Sequence, residues 1–289
     1  MLVGKLLFRG TRMIDGEDWL IVRILRQDRP DEASYWQRFR IRREPGLNVT
    51  GILQRISARP STDGGELVAP VAYEANCLEE VCGSCTMLIN GHTRQACSAL
   101  VDKLLAENSE EIELRPLSKF PVVRDLVVDR RRLFRALEKV KAWIPVDGYY
   151  DLGPGPRQSP EEQQQAYPLS QCMSCGCCLE ACPQYGLLDV RRSEGESDSA
   201  FEAKKNAAFD RTFIGAHAMN QVVLFNSHPT GRFNAGERLE AATAEGGIQQ
   251  CGNAQNCTAV CPKKIPLNDS WGRIGRAATL HFINKFFDG

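Results

Sequence analysis

Residues 172–183 read Cys172-Met173-Ser174-Cys175-Gly176-Cys177-Cys178-Leu179-Glu180-Ala181-Cys182-Pro183. Cysteines 172, 175, 178 and 182 follow the spacing C-x2-C-x2-C-x3-C-P, the bacterial run of thiolates that holds a 4Fe-4S cluster. In that run the fourth cysteine serves a second cluster, so a second run must exist. It begins at Cys251 and ends at Cys261-Pro262. Aligned from the two prolines, Cys257 matches Cys178, Cys251 matches Cys172, and Ala254 stands in the place of Cys175. Alanine cannot ligate iron. With the fourth cysteines exchanged, one site has four thiolates, Cys172, Cys175, Cys178 and Cys261, and is expected to hold 4Fe-4S. The other has three, Cys182, Cys251 and Cys257, and most simply holds 3Fe-4S. A four-iron cluster with one non-cysteine ligand is the alternative there. Cys177 is spare and reads as a small buried residue.

Upstream, Cys77-x4-Cys82-x2-Cys85 is followed by the distant Cys97. This is plant-type 2Fe-2S spacing, in which a short loop folds over a compact cluster with its amides turned toward sulfur. Gly83 suits a close approach of that kind. A zinc site with four cysteine ligands is the competing reading, and the uneven spacing argues against it. The twelve cysteines fall into three groups, so they speak for metal or redox chemistry rather than disulfides.

The 289 residues suit two modest domains. Hydrophobic content of 43%, charged content of 25% and zero net charge describe an ordinary globular chain with no bias toward nucleic acid. No run of about 18 apolar residues is present to span a bilayer. The start shows no signal-peptide pattern, so the chain is expected to stay where it is made. Alternation predicts strands at Lys5–Arg9, Leu20–Arg26, Trp36–Ile41 and Ile112–Arg115. Asn48 is expected to cap a helix over Val49–Ile56. Helices are expected near Arg130–Trp143 and Phe213–Phe225, a surface loop over Arg191–Phe201, and a turn-rich linker at Gly153-Pro154-Gly155-Pro156. The run Arg130-Arg131-Arg132 reads as a solvated helix face. No two of His92, His217, His228 and His281 have ligand spacing; His217 reads as a core residue and His228 as a turn or cap. Ile274, Ala277, Ala278, Phe282 and Phe286 keep helical spacing and are expected to pack on their own domain, with docking on a membrane subunit as the alternative.

The chain resembles the iron–sulfur subunits of succinate:quinone oxidoreductases, which include succinate dehydrogenase and quinol:fumarate reductase. The resemblance rests on Cys77-Leu78-Glu79-Glu80-Val81-Cys82-Gly83-Ser84-Cys85, on Leu117–Pro121, on Arg124–Asp129 and on both cysteine-proline runs. Cys251–Cys257 and Leu224–Gly231 resemble the bacterial branch that uses menaquinone and a dihaem cytochrome anchor. The resemblance implies an α+β chain with a β-grasp 2Fe-2S ferredoxin domain at 1–118. A connecting helix and linker at 119–158 and an all-α helical ferredoxin domain at 159–289 would follow. It implies a FAD-containing flavoprotein that oxidises succinate, and transfer through 2Fe-2S, 4Fe-4S and 3Fe-4S to (mena)quinone at a membrane-anchor cytochrome b subunit carrying haem b. The chain would have no catalytic residue of its own. It would lie on the cytoplasmic face of the bacterial inner membrane. Fumarate reductase running the same wire in reverse is an alternative. A glycolate oxidase- or heterodisulfide reductase-like subunit is another, but the CCG-type motifs of those proteins are missing. Many relatives carry an aromatic pair where this chain has Gly186 and Leu187, and a histidine where it has Gly252, so no quinone contacts carry over.

Overall fold

The computed structural model describes residues 13–14, 17–107, 111–144, 156–188 and 190–288. The strand expected at Lys5–Arg9 and Gly153–Gly155 of the expected linker lie outside them. The chain forms two compact units that divide between Arg130 and Arg131, inside the stretch expected as a connector.

The first unit is built on a mixed sheet. Its strands are β1 (Met13–Ile14), β2 (Glu17–Arg26), β3 (Tyr35–Arg42), β4 (Thr86–Ile89), β5 (His92–Gln95) and β6 (Ile112–Arg115). β2 runs antiparallel to β1 and β3 and parallel to β6, and β6 pairs antiparallel with β4. Leu20, Val22 and Ile24 alternate along β2 and are all buried, which is why this period-two segment reads as a strand with one face in a core. Helix α1 (Val49–Ala58) covers that face with Val49, Ile52, Leu53 and Ile56, one helical stripe. The Asn48 side chain accepts from the Gly51 N–H at 2.8 Å and caps it. Helix α2 is Val101–Ala106. A small hairpin follows, β7 (Val122–Arg124) with β8 (Val127–Val128). At its turn Asp125 is fully buried and takes both prongs of Arg26, at 3.0 and 2.9 Å. The same carboxylate accepts from the Ala72 N–H at 2.8 Å, and Arg26 donates to the Ala69 and Pro70 carbonyls. This buried, fully hydrogen-bonded pair ties the segment entering the first cysteine loop to the end of β2.

The second unit is helical, with no strand among its described residues. Its helices are α3 (Arg131–Lys139), α4 (Pro160–Ser170), α5 (Cys177–Glu180), α6 (Asp198–Phe209), α7 (Gly215–Ser227), α8 (Ala235–Thr243), α9 (Asn256–Ala259) and α10 (Leu267–Asp288). α7 lies at the centre, buried at Ala216, His217, Ala218, Met219, Asn220, Val222 and Val223. α3, α4, α8 and α10 pack on it. Gly215, at φ +86, begins α7 where any Cβ would come within 2.1 Å of Leu179 Cδ2, so glycine lets α7 meet α5. Ser159 and Glu162 form a capping box at the start of α4. The surface loop expected over Arg191–Phe201 gives way at Asp198 to α6, capped by Ser197. Ile274 and Ala278 of α10 are buried, whereas Phe282 and Phe286 are exposed. No helix among the described residues is long and apolar enough to cross a membrane.

Candidate iron–sulfur sites

The first cysteine loop is wound by left-handed residues. Leu78, Glu80 and Gly83 have φ of 61°, 58° and 71°. The winding turns amides inward, and the Val81 and Cys82 N–H groups both donate to Cys77 Sγ at 3.3 Å. Ser84 Oγ lies 3.1 Å from Cys82 Sγ. Burial opposes ionisation of Cys82, but the Ser84 hydroxyl and the surrounding hydrogen bonds outweigh it and bring the thiol down to about 6. Cys85 is buried beside Cys97, and that burial pushes it up to about 11. Cys82 is therefore readily deprotonated, whereas burial keeps Cys85 a thiol unless a positive partner offsets it.

Long-range contacts brace the loop. Arg130 donates to the carbonyls of Gly83 and Ser84 at 2.9 and 2.7 Å. It is part of the loop's support rather than a solvated helix face, which corrects the expectation for Arg130, whereas Arg131 is exposed on α3 as expected. Asn48 Nδ2 donates to the Cys97 carbonyl at 2.9 Å, so the α1 cap also positions a cysteine. The β4–β5 hairpin carries the chain from Cys85 to Cys97. Its Asn90-Gly91 turn, at φ of 50° and 76°, bears the Asn-Gly signal of a two-residue hairpin.

In the second unit the two cysteine runs enclose two cavities. Cys172, Cys175, Cys178 and Cys261 line one, together with Ser174 and His217. Cys182, Cys251, Cys257 and Ala254 line the other, with Trp271 at its side. Each run thus sends its last cysteine to the other run's cavity, and the alanine faces the cavity that has three cysteines. The backbone repeats as well. Ser174 and Gly176 have φ of 51° and 87°, and the matching Asn253 and Gln255 have 52° and 60°. A four-residue helix, α5 or α9, then begins at the residue before the third aligned cysteine. Spare Cys177 is buried on the wall of the first cavity.

Burial pushes the thiols of Cys172, Cys178 and Cys257 up. Cys175 is raised first by its hydrogen bond with Cys177 and then by burial. Bare thiolates are unfavourable here, so the donor set suits a positively charged iron core. Among the described residues no three His, Cys, Asp or Glu side chains converge on a single-ion site. A zinc ion needs its four ligands gathered at about 2.0–2.3 Å from one point. These cysteines instead ring a space, as a multi-iron cluster requires.

His217 is 1% exposed, and its Nε2 is 2.9 Å from Ser174 Oγ. Burial pulls it down to about 4, so its ring is neutral near pH 7. His228 caps a turn as expected, its Nδ1 accepting from the Thr230 and Gly231 N–H groups at 3.2 Å.

Two family profiles match the chain. Residues 21–135 match the family profile of a 2Fe-2S iron-sulfur cluster binding domain, and residues 168–265 that of a 4Fe-4S dicluster domain. The succinate dehydrogenase iron-sulfur subunit of Bacillus subtilis is 48% identical over 264 residues, covering 91% of this chain and 94% of the relative. The fumarate reductase iron-sulfur subunit of Wolinella succinogenes is 27% identical, over 86% of this chain and 92% of its own. In fold, a chain of the Mycobacterium smegmatis Sdh1 complex in the apo form superposes with a TM-score of 0.65 at 24% identity, over 90% of this chain and 95% of that one. With its mixed-sheet 2Fe-2S domain and helical 4Fe-4S domain, the chain belongs to the iron–sulfur subunits of succinate dehydrogenases and fumarate reductases, the electron-transfer subunits of these oxidoreductases.

Proposed function

We propose that this chain carries electrons between a FAD-containing succinate-oxidising flavoprotein and a membrane-anchor cytochrome b subunit, where (mena)quinone is reduced. The observation that carries this reading is the pair of cavities with exchanged cysteines, one of them faced by Ala254. Cys77, Cys82, Cys85 and Cys97 would hold 2Fe-2S. Cys172, Cys175, Cys178 and Cys261 would hold 4Fe-4S, and Cys182, Cys251 and Cys257 would hold 3Fe-4S. When bound, such clusters supply one-electron redox chemistry at potentials set by charge, burial and hydrogen bonds to sulfur. The chain's part is to present thiolates, aim amides at them and keep water away. Net succinate oxidation is favoured over fumarate reduction by the higher identity to a succinate dehydrogenase subunit, 48% against 27%. The chain is placed on the cytoplasmic face of the membrane, held by the anchor subunit. Domain limits of 1–118 and 159–289, joined by 119–158, complete the proposal.

Electron paramagnetic resonance of the purified complex tests the cluster set. A 3Fe-4S signal is expected in the oxidised sample and a 2Fe-2S signal on reduction. Absence of the oxidised-state signal, or zinc without acid-labile sulfide, would overturn the assignment. Substituting Cys177→Ala should leave the iron content unchanged. Loss of iron there would make Cys177 a ligand.

A further inference from the structure

The last turns of α10 carry their side chains inside out. Earlier in the helix Leu267, Ser270, Ile274 and Ala278 are buried on one side, against its own domain. Three and seven residues beyond Ala278, the same side carries His281 and Lys285. Both reach Glu240 of α8. His281 Nε2 lies 3.1 Å from Glu240 Oε1, and Lys285 Nζ donates to that oxygen at 2.7 Å. At Gly236 of α8 a Cβ would come within 2.8 Å of the His281 ring, so glycine lets the two helices close there. The polar side of this segment therefore faces the protein. The other side is apolar and bare. Leu280, Phe282, Ile283, Phe286 and Phe287 cover about 160° of the helix circumference. They are 44% to 81% exposed. A helix resting on a globular surface has the reverse arrangement.

Charge and size point to what covers this side. From Gly272 to Phe287 there is no Asp or Glu, while Arg273, Arg276 and Lys285 are basic. Arg273 and Arg276 are exposed and stand seven and four residues before Leu280, on the same outward side. Basic residues beside a Phe- and Leu-rich face suit anionic headgroups above acyl chains. Residues 280–287 measure about 12 Å along the axis, against about 30 Å of bilayer hydrocarbon, so they fit along a membrane and not through it. At these exposures, five side chains of at most about 250 Å² each offer less than the about 800 Å² per partner of a stable protein interface.

We propose that the apolar side of residues 280–287 lies in the headgroup layer of a phospholipid bilayer, with Arg273 and Arg276 against anionic headgroups. This rests on the reading of the chain as a subunit held at the membrane by an anchor. It adds a direct lipid contact to that hold.

The test is photo-crosslinking in the whole complex, reconstituted in bilayers of equal parts phosphatidylcholine and phosphatidylglycerol. The photoreactive residue p-benzoylphenylalanine replaces Phe286, and mass spectrometry identifies what it captures. Phospholipid is expected, with phosphatidylglycerol in excess of its equal share. The same probe in place of Asn284, nearly opposite Phe286 on the helix, should capture less lipid. Capture of the anchor subunit or of a second copy of this chain in place of lipid would overturn the proposal, as would no lipid product at all. Equal lipid capture at the two positions would overturn the orientation of the helix, and no excess of phosphatidylglycerol would overturn the role of the arginines. A chain recovered without an anchor subunit would sink the reading on which the proposal rests. An intact complex that oxidises succinate but captures no lipid would sink the lipid contact alone.

Discussion

Residues 172–178 and 251–257 are two versions of one device. Both place left-handed residues at the third and fifth positions, both lead into a four-residue helix, and both send a later cysteine to the other's cavity. They differ in side chains and in cover. In the first loop Cys175 is 8% exposed and lies in a cavity that His217 of α7 also lines. In the second, residues 252–256 are all exposed, and Ala254 supplies no sulfur. The winding of the backbone is thus separable from the chemistry it presents. On the proposed cluster assignment one side chain decides how many irons can be held, and the packing around the loop decides how strongly the thiolates are buried.

The comparison can be broken most severely by making the loops alike. Cys175→Ala should leave the first cavity with three thiolates, so its fourth iron is lost. The oxidised-state 3Fe-4S signal of the complex should then roughly double, with a fall in iron content by chemical assay. The reverse change, Ala254→Cys, should give the second cavity four thiolates and abolish the oxidised-state signal. Because Ala254 is exposed, thermal stability should change little, within about 0.5 kcal/mol. Backbone changes should be smaller and opposite in sign. Gly176 sits at φ 87°, so Gly176→Ala should cost about 1–2 kcal/mol and lower the melting temperature by several degrees. Gln255 already bears that strain at φ 60°, so Gln255→Gly should be neutral or stabilising by up to about 1 kcal/mol. If both substitutions destabilise alike, the loops do not share a winding.

Much of this was legible in the chain. The strands at Leu20–Arg26 and Trp36–Ile41 fall within β2 and β3, and the Asn48 cap stands where its side-chain chemistry put it. Other elements were harder to see. α6 and α8 present mostly exposed or small residues, so no apolar stripe announced them. The β4–β5 hairpin carried its Asn90-Gly91 signal in plain view but was overshadowed by the cysteines on either side.

Cysteine spacing by itself determined the cluster types to expect and the crossover between the runs, because ligand geometry permits few arrangements of thiolates around iron and sulfide. It also singled out Ala254, since one missing sulfur changes the count. Tertiary structure alone decided what surrounds those sulfurs. Arg130 reaches Gly83 across 47 residues, and His217 reaches Ser174 across 43. Contacts of that kind leave no period or spacing in the chain. They exist only once folding has brought distant segments together, and there burial and hydrogen bonding set the charge each thiolate can bear.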